Sequence, residues 1–420
     1  MSTSTEWRTG ASWSLSGGVL AGALMYAATL VSGRILGPEG FGEVAFAVVL
    51  AQLGTIACVR GFDFAAARAI VLSKRRQEVP TLVGTAYAVV SANAIGAGLV
   101  LCLIATPLAA SVGWARVSII GAAALLLPAS LKALHERVVP ALGMTRALAT
   151  VRPLEGALLL VALLGLFLAS GVRPSTVLAA MVVCSLVVLG VLIAVMRRRR
   201  VLGRPSRRAH RDIGKYAGVV LALTLAPLPL QYADRIVVQQ SLSDTDLGLY
   251  VACATATQVV ASQVVSLLSG VLLPGVLQDG PSAIAKLRRW AAVALLPGVA
   301  LFGVALTASL WLFGSAFQPS RALVALFACL GAVQLVNGLL HVIVIAEPRS
   351  ARLDVRMTLA RSAVFVTALL VLVQRDALTL ESVVATLLIV ELIHTVLLAW
   401  LTSRTARLWA GEGMDTHAER

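Results

Sequence analysis

Long, evenly apolar segments recur along the whole chain and are separated by short polar connections. Because a bilayer core is about 30 Å thick, a helix that crosses it needs about 20 mostly apolar residues. Strands of a membrane barrel would instead alternate in hydrophobicity over segments of about ten residues. The pattern therefore predicts an all-α polytopic membrane protein with twelve transmembrane helices. The predicted spans are 11–32, 43–59, 82–105, 117–134 (extending to about 142 at most), 153–170, 175–196, 214–233, 247–273, 290–313, 321–345, 357–374 and 381–401.

The distribution of basic residues predicts the orientation of these spans. With Met1 in the cytoplasm, 29 of the 35 Lys and Arg residues lie on the inner side of the membrane. The six on the outer side are Arg34, Arg116, Arg173, Arg235, Arg321 and Arg375. This asymmetry follows the positive-inside rule in both halves, so both termini are expected in the cytoplasm. The net charge of +15 is thus explained by topology, and no nucleic-acid partner is expected.

Composition agrees with this class of protein. Hydrophobic residues make up 59% of the chain and charged residues 13%, whereas soluble domains contain about 45–50% and about 25%. The five cysteines lie in predicted spans without metal-ligand spacing, so we expect no metal site. The segment MSTSTEWRTG is not expected to belong to a cleavable signal peptide. Nucleotide-binding and hydrolase motifs are absent and outer loops are short, which favours a transporter over an enzyme.

The chain divides into two halves of six predicted spans on either side of RRRRVLGRPSRRAHR (197–211). Residues about 206 positions apart are weakly similar, as in Gly42 with Gly248 and His135 with His341. An even number of spans per half predicts parallel repeats, which are typical of transporters that work by alternating access. The predicted organisation is an N-terminal six-helix lobe (1–196), a basic cytoplasmic linker (197–212), a C-terminal six-helix lobe (213–402) and a cytoplasmic tail (403–420).

Two equivalent spans contain residues that interrupt helices or allow them to approach closely. Span seven has Pro227 and Pro229 at mid-membrane, and span one has Gly17, Gly18 and Gly22. Interrupted helices often form transport sites, so both spans are candidates for such a site. The alternative is a tolerated proline kink in span seven and a glycine packing face in span one.

Polar residues at membrane depth are costly, and they mark candidate sites. Gln334, Asn337 and His341 form one stripe along span ten, which either lines an aqueous cavity or bonds to a neighbouring helix. Lys132 lies about one turn deeper than the cytoplasmic end of span four, where it could reach an anion.

Two further groups of charged residues have open interpretations. Glu391 and His394 share a face of span twelve, either as a proton-coupling pair or as a structural clasp to another helix. Gln231, Asp234 and Arg235 end span seven on the outer side, and Arg34 ends span one there. They either cap helices at the interface or face a cavity that suits a phosphate or a uronic acid.

The segment GRILGPEGFGEVAFAVVLAQLGTIACVRGFDFAAARAIV (33–71) resembles oligosaccharide flippases of the Wzx type. In that family an LGPEGFG-like turn follows the first helix, and a small-residue helix leads to an A-x-x-R segment, here Ala65 to Arg68. The second half resembles the family at 233–260, with an Asp near helix seven and a Gly-x-Tyr, and at 272–291. It departs from the family at SLSDTD, where a Gly-Pro-Glu-like turn is usual.

The resemblance implies membership of the multidrug/oligosaccharidyl-lipid/polysaccharide exporter superfamily. It implies two six-helix lobes around a central, often cationic cavity. It also implies that a polyprenyl-diphosphate-linked oligosaccharide moves from the inner to the outer leaflet of the bacterial inner membrane. The lipid bilayer and this substrate are the expected partners, with the polysaccharide polymerase machinery as a further one, and a monomer is expected. No cofactor is expected beyond a proton or sodium gradient.

Within this framework we predict residues for the substrate and for ion coupling. The predicted substrate-binding residues are Arg34, Lys132, Gln231, Asp234, Arg235, Gln334, Asn337 and His341. Of these, the charged side chains are assigned to the anionic head, and the stripe on span ten is assigned to sugar hydroxyls. The predicted ion-coupling residues are Glu391 and His394.

Three alternatives remain open at this stage. A major-facilitator carrier would also have twelve spans, but 60–76 lacks the spacing of that family's loop motif. A multidrug cation exporter would need acidic cavity residues, for which only Asp234 and Glu391 are available. A glycan polymerase or ligase would need a large outer loop, which the sequence does not contain.

Overall fold

A computed structural model describes residues 3–73, 76–168, 172–261, 264–265, 276, 281–345 and 348–411. The described residues form thirteen α-helices and no strand, in agreement with the predicted all-α fold. The helices are α1 (Thr3–Val59), α2 (Phe62–Leu72), α3 (Val79–Val112), α4 (Arg116–Ala141), α5 (Thr145–Leu168), α6 (Pro174–Arg198), α7 (Arg207–Leu225), α8 (Leu228–Ser241), α9 (Asp244–Ala254), α10 (Pro281–Phe313), α11 (Arg321–Ile345), α12 (Pro348–Gln374) and α13 (Leu380–Gly411).

Nine helices among the described residues are long and apolar enough to cross a membrane. The difference from twelve predicted spans has three structural sources. Helix α1 contains spans one and two, span seven is divided between α7 and α8, and much of span eight (262–263, 266–273) lies outside the described residues. The other ten predicted spans correspond to the nine helices: spans three to six and nine to twelve have one helix each, and spans one and two share α1.

The turn between spans one and two is a kink inside α1. Gly37 has φ 68° and ψ 177°, the only non-helical angles inside this helix. An L side chain would strain a backbone with this positive φ, and the following Pro38 cannot donate a helical hydrogen bond. Helix α1 continues without a break through Gly17, and a Cβ on Gly17 would lie 2.5 Å from the carbonyl oxygen of Ala149. The packing interpretation of Gly17 is therefore the one that the structure supports.

Span seven is broken where the prolines predict. Helix α7 ends at Leu225 and α8 begins at Leu228, with Ala226 and Pro227 in a turn between them. The carbonyl oxygen of Ala226 accepts a hydrogen bond of 2.8 Å from the Ser362 hydroxyl. A side chain on α12 thus compensates for one of the backbone bonds that the break removes.

The chain forms two compact units, here called unit 1 (1–225 and 242–248) and unit 2 (226–241 and 249–420). The predicted lobes meet in the basic segment, whereas the two units divide after residue 225. The basic segment belongs to unit 1 because it is fixed to the start of α3. The Gly203 amide donates to the Pro80 carbonyl at 2.8 Å, and the Ser206 amide donates to the Thr85 hydroxyl at 2.9 Å.

Two equivalent turns pack against each other within unit 1. A Cβ on Gly42 would lie 2.0 Å from the carbonyl oxygen of Asp244, and a Cβ on Gly248 would lie 1.9 Å from that of Pro38. The two contacts are equivalent because Asp244 and Gly248 each lie 206 positions after Pro38 and Gly42. Only glycine allows backbones to approach this closely, so these two positions require it.

Candidate functional site

Unit 1 contains a polar cluster that joins three membrane-spanning helices. Lys132 on α4 is 2.5 Å from the Glu155 carboxylate on α5, and Ser185 on α6 donates to the other carboxylate oxygen at 2.8 Å. Glu155 is buried, whereas 44% of the Lys132 side chain is exposed. The ammonium of Lys132 is therefore partly neutralised, while part of the side chain remains exposed.

A small cavity of about 30 Å³ adjoins this cluster, with Lys132, Glu155 and Ser185 in its wall. This volume suits about one water molecule. A second ion pair in the wall joins Glu136 and Arg152 at 3.0 Å. Buried His135 also lines the cavity, and its Nδ1 lies 2.6 Å from its own helix's Leu131 carbonyl.

Unit 2 contains a second three-helix cluster. The Arg361 guanidinium on α12 donates to the Glu391 carboxylate on α13 at 2.9 Å, and the Asn337 amide on α11 donates to the same carboxylate at 2.8 Å. Thr395 donates to the Asn337 carbonyl oxygen at 2.7 Å. Glu391 and Asn337 are buried, so this is an ionic network at membrane depth. Its carboxylate is well compensated, but the buried Nε of Arg361 has no hydrogen-bond partner among the described residues.

The histidines of unit 2 form a separate group next to this network. His341 Nε2 lies 2.8 Å from the carboxylate of Asp354, which is buried on α12. His394 is buried as well, and its Nδ1 has no hydrogen-bond partner among the described residues. Among the described residues the Glu391 carboxylate makes its hydrogen bonds to Arg361 and Asn337, and none joins it to His394.

The two clusters occupy equivalent places in the two halves of the sequence. Arg361 lies 206 positions after Glu155, and Glu391 lies 206 positions after Ser185. The charges are exchanged, since the carboxylate comes from α5 in unit 1 and from α13 in unit 2. The same three-helix polar clasp is thus built twice, with a different charge order each time.

A third polar group surrounds the predicted residues at the end of span seven. Asp234 is completely buried and accepts a short hydrogen bond from the Tyr250 hydroxyl and one of 2.8 Å from the Arg235 amide. The Arg235 guanidinium contacts the Gln258 carbonyl oxygen at 3.5 Å, and its Nε is buried without a partner among the described residues. Gln258 lies in a π-helical turn, Thr255–Val259, which departs from regular α-helix. Such turns are frequent at functional sites.

The remaining predicted residues are placed less specifically. Arg34 and Gln231 are exposed, and Gln334 is half-buried on α11. Among the described residues no group of three or more His, Cys, Asp or Glu side chains is arranged to hold a metal ion.

Sequence reasoning missed several members of these clusters, among them Glu155, Gln258, Asp354 and Arg361. Arg361 was counted as a charge of an inner loop, whereas the structure turns it toward Glu391. The repeat spacing contained a signal for it, because opposite charges occur at the equivalent positions 155 and 361. Helix periodicity alone gives no information about which side chains on different helices meet.

Solved structures with this arrangement of helices are membrane transporters. An inward-facing multidrug resistance MATE family transporter of the MOP superfamily matches with a TM-score of 0.63 and 15% identity, covering 92% of this chain and 95% of that one. VcmN, a MATE transporter of Vibrio cholerae, matches in a mutant form with a TM-score of 0.64 and 13% identity, covering 98% and 97%. A MOP superfamily transporter from Pyrococcus furiosus, whose pocket is described as having reverse polarity, matches with 0.60 and 14%, covering 95% of both chains.

At these identities the structural matches define the fold, which is that of a MOP superfamily transporter. A family model described as polysaccharide biosynthesis protein matches residues 31–320, so the chain belongs to that family. A comparison with curated proteins gives no significant sequence match. The family match and the fold together confirm the resemblance to Wzx-type flippases, and the chain is a multi-pass membrane protein with the fold of these transporters.

Proposed function

We propose that the protein is a flippase that moves a polyprenyl-diphosphate-linked oligosaccharide across the bacterial inner membrane by alternating access, for surface polysaccharide assembly. The observation that carries this proposal is the polysaccharide biosynthesis match over 31–320 in a chain with a transporter fold. A glycan head cannot cross about 30 Å of hydrocarbon unaided, because its hydroxyls would lose their hydrogen bonds to water. A polar path through the protein removes this cost while the lipid tail stays in the bilayer.

Arg235 is the strongest candidate for a contact with the anionic head. Its guanidinium has one long contact, to Gln258, and a buried Nε that still requires an acceptor. A planar guanidinium suits the oxygens of a diphosphate. Asp234 and Tyr250 hold the backbone next to Arg235 in place, so Asp234 acts as a positioning group. Exposed Gln231 on the same helix is a further proposed outer contact, and exposed Arg34 of unit 1 is proposed by itself.

Lys132 is proposed as a second contact with the head. Its ion pair with Glu155 holds the ammonium in one position, and the exposed part of the side chain remains available to an anion. Gln334, Asn337 and His341 are proposed for sugar hydroxyls. Asn337 already bonds to Glu391 and Thr395, so half-buried Gln334 is the more available group of this stripe.

The acidic residues support an anionic or neutral cargo rather than a drug cation. Asp234 accepts bonds from Tyr250 and from the Arg235 amide, and Glu391 is paired with Arg361. Each carboxylate is thus compensated inside its own cluster. A cation exporter would need an acidic group that its cargo can neutralise. Energy from a proton or sodium gradient, with Glu391 and His394 as coupling residues, completes the proposal.

Surface-polysaccharide export in cells tests the substrate site. The double variant Lys132→Ala with Arg235→Ala is expected to stop export while the protein still inserts into the membrane. The matched control is Arg116→Ala with Arg321→Ala, which removes two exposed arginines at helix starts that we assign to no site. Normal export by the double Lys132 and Arg235 variant would contradict the assignment of these residues.

A further inference from the structure

Unit 2 has an apolar groove that none of the polar clusters uses. It measures about 480 Å³ and lies between α10, α11 and α13, with walls formed among others by Ala292, Leu295, Val336 and Leu392. This volume is within the range of about 300–1,000 Å³ that is typical of small-molecule sites. We call it the inner-leaflet groove, because its length and position correspond to the cytoplasmic leaflet of the bilayer.

The length of the groove matches one leaflet of a bilayer. Its α10 wall runs from Ala285 to Leu295, and the ten steps between these residues rise by about 15 Å in an α-helix. This is half of the hydrocarbon thickness of about 30 Å. Because α10 begins at the end that the charge distribution assigns to the cytoplasm, the groove opens at the cytoplasmic surface. Val333 on α11 and Leu392 on α13 lie at the middle of their predicted spans and place the other end of the groove near mid-membrane.

The charged groups of the groove lie at its cytoplasmic end. Arg288 and Arg289 line it there, Arg288 half-buried and Arg289 exposed, and the rest of the wall is almost entirely apolar. A guanidinium group binds phosphate oxygens in a planar, often bidentate geometry. The groove thus combines an anion-binding mouth with an apolar trough, which is the chemistry of a lipid that carries phosphate.

We propose that the inner-leaflet groove binds the substrate's polyprenyl-diphosphate carrier before translocation, with the diphosphate at Arg288 and Arg289 and the first isoprene units along α11 and α13. Lys132 and Arg235 would then contact the same head in later steps. This inference rests on the proposed function, since that function supplies the lipid. Two adjacent arginines match two linked phosphates, whereas a bilayer phospholipid has one bridging phosphate and two chains to place. A single trough of leaflet length accepts one chain.

The groove also adjoins the buried ionic network of unit 2. Thr395 lines the groove, and its hydroxyl bonds to Asn337, which bonds in turn to Glu391. A lipid in the groove would therefore lie against the helix face behind which Arg361 and Glu391 are paired. Binding of the lipid carrier in the groove and pairing of Arg361 with Glu391 can therefore influence each other.

Photocrosslinking of the full-length protein in nanodiscs tests the proposal. The probe is a polyprenyl diphosphate with a diazirine in an isoprene unit near the phosphates, and labelled peptides are identified by mass spectrometry. We expect labelling on α10, α11 and α13 at groove residues. Substituting Arg288 or Arg289 with Ala should weaken probe binding about fivefold, and the double variant about 25-fold.

Matched variants separate the groove from the rest of the helix. Ala292→Trp fills the groove and should reduce both labelling and flipping, whereas Val293→Trp places the same ring on a neighbouring exposed position outside the lining. Lys286→Ala removes a basic residue whose ammonium lies over the Trp290 ring, and it should leave binding unchanged.

The outcomes distinguish this inference from the proposed function. Labelling outside the groove by a protein that still flips the substrate would overturn the inference and leave the flippase intact. Equal labelling of the groove by a diazirine analogue of phosphatidylglycerol would also overturn it, because the site would then belong to bilayer lipid. A protein that neither flips the substrate nor binds the probe would contradict both proposals.

Discussion

Arg361 Nη1 lies 2.9 Å from Glu391 Oε2, and this ion pair joins two membrane-spanning helices of unit 2. The exposed fractions of the two side chains are 18% and 9%. A buried pair gains little over an apolar pair of the same volume, but loss of one partner leaves an uncompensated charge. Each residue of the pair therefore depends on the other for its place in the membrane.

Removing the cation alone should destabilise the protein strongly. We expect Arg361→Ala to lower the free energy of unfolding by about 3–5 kcal/mol, because Glu391 would stay buried without its partner. Thermal unfolding of purified protein measures this loss. The double variant Arg361→Ala with Glu391→Ala should recover part of it, and a single variant as stable as the wild type would show that the pair is not buried.

Substitution of Glu391 by Gln separates ion coupling from structure. The amide keeps the side-chain shape and an acceptor for Asn337, but it no longer carries a charge or a proton. If Glu391 takes part in proton coupling, the variant should lose the dependence of transport on the pH gradient. We would measure transport across a pH series, and a series identical to that of the wild type would remove this role.

Tyr250→Phe tests the support of Asp234. The substitution removes the hydroxyl that donates to a completely buried carboxylate, and we expect a loss of about 1–3 kcal/mol. Arg235 should also become less well positioned, so substrate affinity should fall with stability. The control is Tyr216→Phe, where the exposed ring keeps its contact with Arg68. Equal thermal stability of the two variants would argue against the buried bond.

Alanine at Gly42 or Gly248 should disrupt the contact between the two equivalent turns. The added Cβ would lie about 2 Å from a carbonyl oxygen at either position, so the backbone has to move. We expect each substitution to cost about 1–3 kcal/mol of stability. Gly96→Ala is the control, since a Cβ there meets no atom within 4 Å. Thermal unfolding that fails to distinguish the three variants would contradict the close approach.

The sequence predicts the helices well because the bilayer imposes a simple rule of length and polarity. Break positions follow from residue chemistry, as at Pro227 between α7 and α8. Helix α2 was not predicted, because its eleven residues are shorter than a span and lie in a charged loop. The extent of unit 1 depends on tertiary contacts such as that between Gly203 and Pro80, which no local pattern encodes.

In the candidate sites, too, the sequence marks individual residues but not the contacts between helices. Polarity within a span marks Asn337 and Glu391 as unusual, and the structure brings these two together. The sequence pattern gives no information about their partner Arg361, because Arg361 lies near the end of its span and looks like any other inner-side charge. Which side chains meet between helices depends on how each helix is rotated and packed, and side chains on all three helices determine this together.

Flipping in reconstituted vesicles tests the central claim most directly. A fluorescent polyprenyl-diphosphate oligosaccharide is placed in both leaflets, and a membrane-impermeant quencher reports how fast the inner pool reaches the outer leaflet. The account predicts rapid exchange with the wild-type protein and a rate near that of empty vesicles with the Lys132→Ala and Arg235→Ala double variant. A correctly inserted wild-type protein that flips no faster than empty vesicles, with or without an ion gradient, would contradict it.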